Sequence, residues 1–217
     1  MSNTDKAVVG IIDYTTGNSR SVERALNFLG VPNRMLKSPA DLADADRLVL
    51  PGVGAAGTTM DYLRAAGWPA VLDELVAAGD MPFLGICVGL QVLFEHSAEQ
   101  DAHCLGWLPG TVRAFDRAHV RVPQMGWNQV CPEPGHPFTA TMPQDGYFYF
   151  VNSFYAVPGD ITDVAAKTAY GTEFASVVAR RNIMATQFHA EKSGRLGLEL
   201  LLRFATLTRG ELCSPRD

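Results

Sequence analysis

Phe83-Leu84-Gly85-Ile86-Cys87-Val88-Gly89-Leu90-Gln91 reads as a buried strand running straight into a helix, with a cysteine at the corner. Gly-x-Cys-x-Gly is the thiol counterpart of the Gly-x-Ser-x-Gly elbow. A side chain on that strained corner projects from the end of the sheet, and the flanking glycines admit neighbouring backbone without a Cβ clash. A helix beginning at Val88 sets its positive end beside the sulfur. A helix N-terminus and a nearby imidazole lower a thiol pKa from about 8.5 to roughly 3.5–7.5. Taken alone, Cys87 could equally fill a core space, as free cysteines commonly do.

Outward from the elbow, the first half alternates strand and helix. Ala7-Val8-Val9-Gly10-Ile11-Ile12 is a continuous apolar run of the kind buried on both faces. Val22, Ala25, Leu26 and Leu29 follow at helical spacing, then an apolar strand at 48–50, a helical stretch carrying Val71, Leu72, Leu75 and Val76, and the strand at 83–86. This alternation implies an α/β fold with a mostly parallel central sheet flanked by helices. The second half is richer in strands. Residues 146–157 are aromatic and β-branched, and 176–180 with 183–188 read as a hairpin turning at Arg181-Asn182. Leu196, Leu200, Phe204 and Leu207 mark a closing helix. No repeat, low-complexity tract or linker interrupts the chain, so residues 1–217 read as a single domain.

A nucleophilic cysteine needs a base, and the base needs a group to orient it. Read as a strand, 183–191 places His189 and Glu191 on one face, two residues apart. None of the other four histidines, His96, His103, His119 and His136, has such a neighbouring carboxylate in view. An oxyanion site requires free backbone N–H groups. The loop Pro51-Gly52-Val53-Gly54-Ala55-Ala56-Gly57, following a strand end, can offer them at Gly52 and Gly54, and Val88 supplies another directly after the nucleophile. The loop matches neither the dinucleotide-binding nor the P-loop pattern.

These residues carry a resemblance. Cys87, His189 and Glu191 in this order, with Gly-Ile-Cys-Val-Gly-Leu-Gln at 85–91 and Gln-Phe-His-Ala-Glu-Lys-Ser at 187–193, resemble the triad class of glutamine amidotransferases, whose architecture is flavodoxin-like. Asp13-Tyr14-Thr15-Thr16-Gly17-Asn18, Pro51-Gly52-Val53-Gly54, Pro123-Gln124-Met125-Gly126-Trp127-Asn128 and Tyr149-Phe150-Val151-Asn152-Ser153 narrow it to the glutaminase subunits of imidazole glycerol phosphate synthase. The resemblance implies hydrolysis of glutamine through a thioester, with Cys87 as nucleophile, His189 as base and acid, and Glu191 as orienter. It places Gly52 and Gly54 in the oxyanion strand, and Gln91, Ser153 and the backbone of Phe154 at the substrate. Asn18, Met125, Trp127, Tyr149 and Lys192 would face the partner, a (β/α)8-barrel cyclase that forms a heterodimer with the chain and uses the ammonia for histidine synthesis. A paralogue feeding another synthase, such as one amidating a sugar, would carry the same triad. The sequence departs from the family at Ala190 (usually proline), Asn152 and Gln124 (commonly histidine) and Phe154 (commonly tyrosine). Without proline, the geometry between His189 and Glu191 is expected to be less fixed.

Composition fits a cytoplasmic enzyme. Net charge is −5 with no block of like charge, which argues against nucleic acid as the main ligand. Cysteines 87, 104, 131 and 213 lack metal-ligand spacing and read as reduced thiols; neither a metal nor an organic cofactor is expected. No apolar run approaches the roughly 18 residues needed to span a bilayer, and Met1–Lys6 is too polar for a signal peptide.

Overall fold

All four residues of Val9–Ile12 are buried, and they form β1 near the centre of a parallel sheet. In the computed structural model, which describes residues 7–14, 18–42, 44–79 and 81–212, β1 is flanked by β2 (Asn33–Leu36) and β3 (Arg47–Gly52), both parallel to it. Next to β3 lies β4 (Phe83–Cys87), and next to β4 lies β13 (Ile183–Thr186), again in parallel. Cys87 and the chain leading to His189 thus leave neighbouring strands at the same edge of the sheet. Binding sites in open parallel sheets gather at that carboxyl end.

The helices cover this sheet. α1 (Ser19–Phe28) buries Val22, Ala25 and Leu26 at the expected spacing. α2 (Ala56–Ala65), which begins inside the glycine-rich loop rather than after it, buries Met60 and Leu63. α3 (Trp68–Leu72) continues into a wider π-turn over Asp73–Ala77, so the helical stretch read around Val71–Val76 changes pitch halfway. α4 (Val88–Gln91) follows the elbow, and α5 (Gly194–Thr206) and α6 (Arg209–Leu212) close the chain. Buried Arg47 donates to the carbonyls of Phe204 and Leu207, where α5 ends. Burial holds its guanidinium pKa below the ordinary value.

From residue 96 the sheet adds strands that pair mostly antiparallel. These are β5 (His96–Ser97), β6 (Ala102–His103), β7 (Gly110–Ala114), β8 (Gln124–Pro132), β9 (Gly146–Asn152), β10 (Phe154–Pro158), β11 (Val164–Tyr170) and β12 (Thr172–Arg180), with β5 and β7 parallel to each other. β12 pairs with β13 as the hairpin reading expects, and the Asn182 side chain in its turn donates to Val76 and Met81 carbonyls at 2.8 and 2.9 Å. β8 and β9 pair in register, and β8 joins the rest through β11.

Two local expectations are corrected. The strand read through Glu191 ends at Thr186, and Ala190–Lys192 is a turn of 3-10 helix. The elbow helix is only four residues long, so its aligned peptide dipoles are few, and individual N–H groups matter more at the sulfur than a macrodipole.

Candidate active site

Cys87 has φ 58° and ψ −107°, a left-handed conformation that costs a non-glycine residue about 1–3 kcal/mol. Its neighbours explain how the corner is held. A Cβ on Gly85 would lie 2.3 Å from the Gly89 carbonyl oxygen, and one on Gly89 would lie 2.0 Å from that of Leu50. The glycines therefore let α4 settle on the strand backbone, and the strain is carried at the cysteine. Cys87 is buried, with its sulfur 3.8 Å from the Val151 carbonyl oxygen.

His189 arrives beside it after the chain leaves β13. Its backbone is clamped: the N–H donates to Tyr149 O at 2.9 Å, while its carbonyl accepts from Ser193 Oγ at 2.6 Å. Ser193 Oγ in turn accepts from Tyr149 N–H at 3.0 Å, closing a ring of three hydrogen bonds. The imidazole Nδ1 lies 2.8 Å from Glu191 Oε1, and both side chains are fully or almost fully buried. This pair forms across a 3-10 turn rather than along the strand face that the sequence reading expects. Ala190, in place of the family's proline, is fully buried in that turn. Burial pulls the His189 pKa down, but the Cys87 sulfur and then the Glu191 carboxylate outweigh it and raise the pKa to about 10.

Above these groups opens a cavity of about 280 Å³, near the lower size of small-molecule sites. Val53, Gly54, Val88, Gln91, Ser153 and Phe154 line it, together with Cys87, His189 and exposed Lys192 at its rim. Gly52 pairs with Cys87 across β3 and β4. Gly54 lies beyond the strand at φ +103°. Gln91 is buried and donates to the carbonyls of Phe154 and Gln187, both at 3.1 Å.

The partner-face candidates separate into two groups. Met125 and Trp127 are exposed on β8, with the Trp127 ring 6.0 Å from half-buried Tyr149. A Cβ at Gly194 would lie 3.9 Å from Trp127, which sets this aromatic surface beside the turn carrying Lys192. Asn18 touches the carboxylate beside His189: its Nδ2 donates to Glu191 Oε1 at 2.5 Å. Thr15, Thr16 and Gly17 of the same motif lie outside the described residues, as does Cys213.

Sequence reading missed Glu99, Tyr14 and Gln187. Glu99 lines the cavity and accepts from Ala56 N–H at 2.9 Å, capping α2; burial raises its carboxyl pKa above the usual range, against the pull of that bond. Tyr14 is buried, and a Cβ on Gly52 would come within 2.7 Å of its hydroxyl. Burial raises its phenol pKa strongly, and Cys87 adds to the shift. Glu99 has no local pattern that marks it, because it reaches the site from a distant segment; Tyr14 belongs to the Asp13–Asn18 motif, but its place against Gly52 shows only in the fold. Gln187 lay inside a quoted motif, but only the fold shows what its side chain touches. Among the described residues, no group of three or more His, Cys, Asp or Glu side chains is placed to hold a metal ion.

Comparison with known proteins fits this geometry. The family model for glutamine amidotransferase class-I matches residues 10–206. The imidazole glycerol phosphate synthase subunit HisH of Nitrosococcus oceani is 48% identical over 205 residues, covering 91% of this chain and 96% of that protein. The subunit of the same name from Dehalococcoides mccartyi is 42% identical, covering 94% and 99%. Among solved structures, PurLQS from Thermotoga maritima is similar in fold, with a TM-score of 0.70 at 17% identity over 92% of this chain and 97% of that one. The chain belongs to the class-I glutamine amidotransferase family and, within it, to the family of the imidazole glycerol phosphate synthase subunit HisH.

Proposed function

We propose that the chain is the glutaminase subunit of imidazole glycerol phosphate synthase, hydrolysing glutamine at Cys87 and passing the ammonia to a cyclase partner. The observation that carries this reading is the buried line from Cys87 through His189 to Glu191 at the floor of the cavity. The Cys87 thiolate attacks the side-chain amide carbon of glutamine, forming a C–S bond. The oxyanion is held by N–H groups of Val88 and of the Gly52–Gly54 segment. The His189 imidazolium gives its proton to the amide nitrogen, the C–N bond breaks and ammonia leaves a thioester. Neutral His189 then takes a proton from the water that attacks this thioester. The C–S bond breaks, glutamate departs, and thiolate and imidazolium are restored. Glu191 holds the ring tautomer and balances its charge, while Asn18 steadies the carboxylate. Glu99 and Gln91 suit the α-ammonium of the substrate, and Ser153 with the Phe154 backbone suits its carboxylate.

Met125, Trp127, Tyr149 and Lys192 form the docking face for a (β/α)8-barrel cyclase in a heterodimer: exposed aromatic and sulfur-containing side chains beside a site make good anchors. Residues 1–217 act as one amidotransferase domain in the cytoplasm; among the described residues no helix is long and apolar enough to cross a membrane. The decisive experiment is Cys87→Ala in the reconstituted complex. Glutamine-dependent synthesis should fall to background, a loss on the scale of about 10⁶ for removal of a nucleophile, with ammonium-dependent synthesis intact. Retained use of glutamine would overturn the assignment.

A further inference from the structure

Gln187 is completely buried where β13 gives way to the turn bearing His189, and its backbone N–H is fixed on Ser176 O at 2.9 Å. Its carboxamide bridges two parts of the site. Oε1 accepts from Gln91 Nε2 at 3.1 Å, and Nε2 faces Cys87 Sγ at 3.8 Å, within hydrogen-bonding range for sulfur. Gln91 Nε2 also donates to Phe154 O at 3.1 Å, the carbonyl that Asn152 Nδ2 approaches at 2.9 Å.

The direction of this chain of bonds is dictated from its far end. A backbone carbonyl can only accept, so Gln91 must turn its NH₂ toward Phe154. The second hydrogen of that NH₂ then meets Gln187, which must answer with its oxygen. That leaves the Gln187 NH₂ toward the sulfur. Reversing either amide would oppose two carbonyl oxygens or two NH₂ groups in a buried space, where an unmade hydrogen bond costs about 1–3 kcal/mol. Both Gln91 hydrogens are also consumed, so its oxygen is the group left to face the cavity.

We infer that Gln187 is a further residue of the reacting centre: its amide N–H solvates the Cys87 thiolate and its amide oxygen locks Gln91 with an acceptor turned toward the substrate. The inference rests on reading Cys87 as the nucleophile. An N–H on sulfur favours the thiolate over the thiol. It also receives the sulfur again when the C–S bond of the thioester breaks and the electron pair returns to the leaving thiolate. Recognition of the amino acid and readiness of the nucleophile thereby share one buried side chain.

The test is Q187M, close in size but unable to donate or accept like an amide. Iodoacetamide alkylation of Cys87 at pH 7, followed on its own peptide by mass spectrometry, should slow by about tenfold or more, the scale of one hydrogen bond to a charged group. In the complex with partner, the glutamine KM should rise while ammonium-dependent synthesis stays unchanged. A folded Q187M protein that alkylates at the wild-type rate would overturn the inference, even if its melting temperature fell, because a purely structural role leaves the thiol alone. A second measurement needs no variant: in protein carrying ¹⁵N in its glutamine side chains, the Gln187 NH₂ resonances should move when Cys87 is alkylated. Unmoved resonances would count equally against it. Failure of the nucleophile assignment shows separately, as retained glutamine use in Cys87→Ala.

Discussion

The parallel region β2-β1-β3-β4-β13 and the antiparallel ribbon β8-β9 meet at the same cavity yet are built on opposite rules. β1, β3, β4 and β13 are buried at every position, because helices cover both faces. β9 instead alternates, with Phe148 and Phe150 fully buried and Tyr147 exposed. A strand enclosed on both sides can place reactive groups only at its end, which is where Cys87 sits and where the path to His189 begins. A ribbon with one open face can present side chains along its length, as it does with exposed Met125 and Trp127. The proposed chemistry and the proposed docking surface therefore sit on separate elements, and each should be damaged without the other.

The largest effect that should stay on the chemical side is that of Glu191→Gln. It leaves every reacting atom in place but loses the charge behind the imidazole, and we expect glutaminase kcat to fall by about 10³–10⁴ with partner affinity unchanged by titration calorimetry. The same variant should move the pH profile. His189, raised to about 10 in the wild type, loses its proton as pH rises through that value, so the alkaline limb of kcat/KM belongs there. Removing the Glu191 charge removes one of the raising influences, and the limb should shift to lower pH. Stability follows the same sign. The contribution of this proton is complete below the ordinary imidazole value of 6.5 and is lost as pH climbs toward about 10.

Next in size is the link between the two regions. The Gly54 backbone lies outside the β3 ladder at φ +103°, so a small rotation there can turn an N–H toward or away from the oxyanion. Steady-state glutamate release should rise at least about a hundredfold, the worth of one oxyanion donor, when partner and acceptor ligand are both present. Equal rates in the free chain and the complex would show the site already formed without the partner.

The docking side should break alone in Trp127→Ala. We expect partner affinity to weaken by about thirtyfold, equivalent to about 2 kcal/mol for an interface anchor, with alkylation of Cys87 in the free chain unchanged. Ser193→Ala removes two hydrogen bonds and should cost about 1–3 kcal/mol in denaturant unfolding, a loss of stability rather than of binding.

Much of the parallel region was legible in advance because its signals are local. The run at Val9–Ile12 and the spacing of Val22, Ala25 and Leu26 need no distant contact to be read. The residue types of the proposed triad were legible as well, in Cys87, His189 and Glu191. What escaped depended on the fold closing. Glu99 reaches the cavity and α2 from 43 residues beyond Ala56, and Asn18 meets Glu191 across 173 residues. The bend after Thr186 escaped for another reason: Gln187-Phe188-His189 has the composition of a strand, and only the Tyr149 and Ser193 contacts draw it away.

That triangle of Tyr149, Ser193 and His189 has a mechanical meaning. Tyr149 gives both its backbone N–H and its carbonyl to the loop that carries the imidazole, so the inner edge of the ribbon is tied directly to the backbone of His189. Along this route the one rotatable group is the hydroxyl of Ser193. The aromatic surface and the seat of the imidazole thus share a single frame of hydrogen bonds, and the ring's own torsions are the freedom left between that frame and the sulfur.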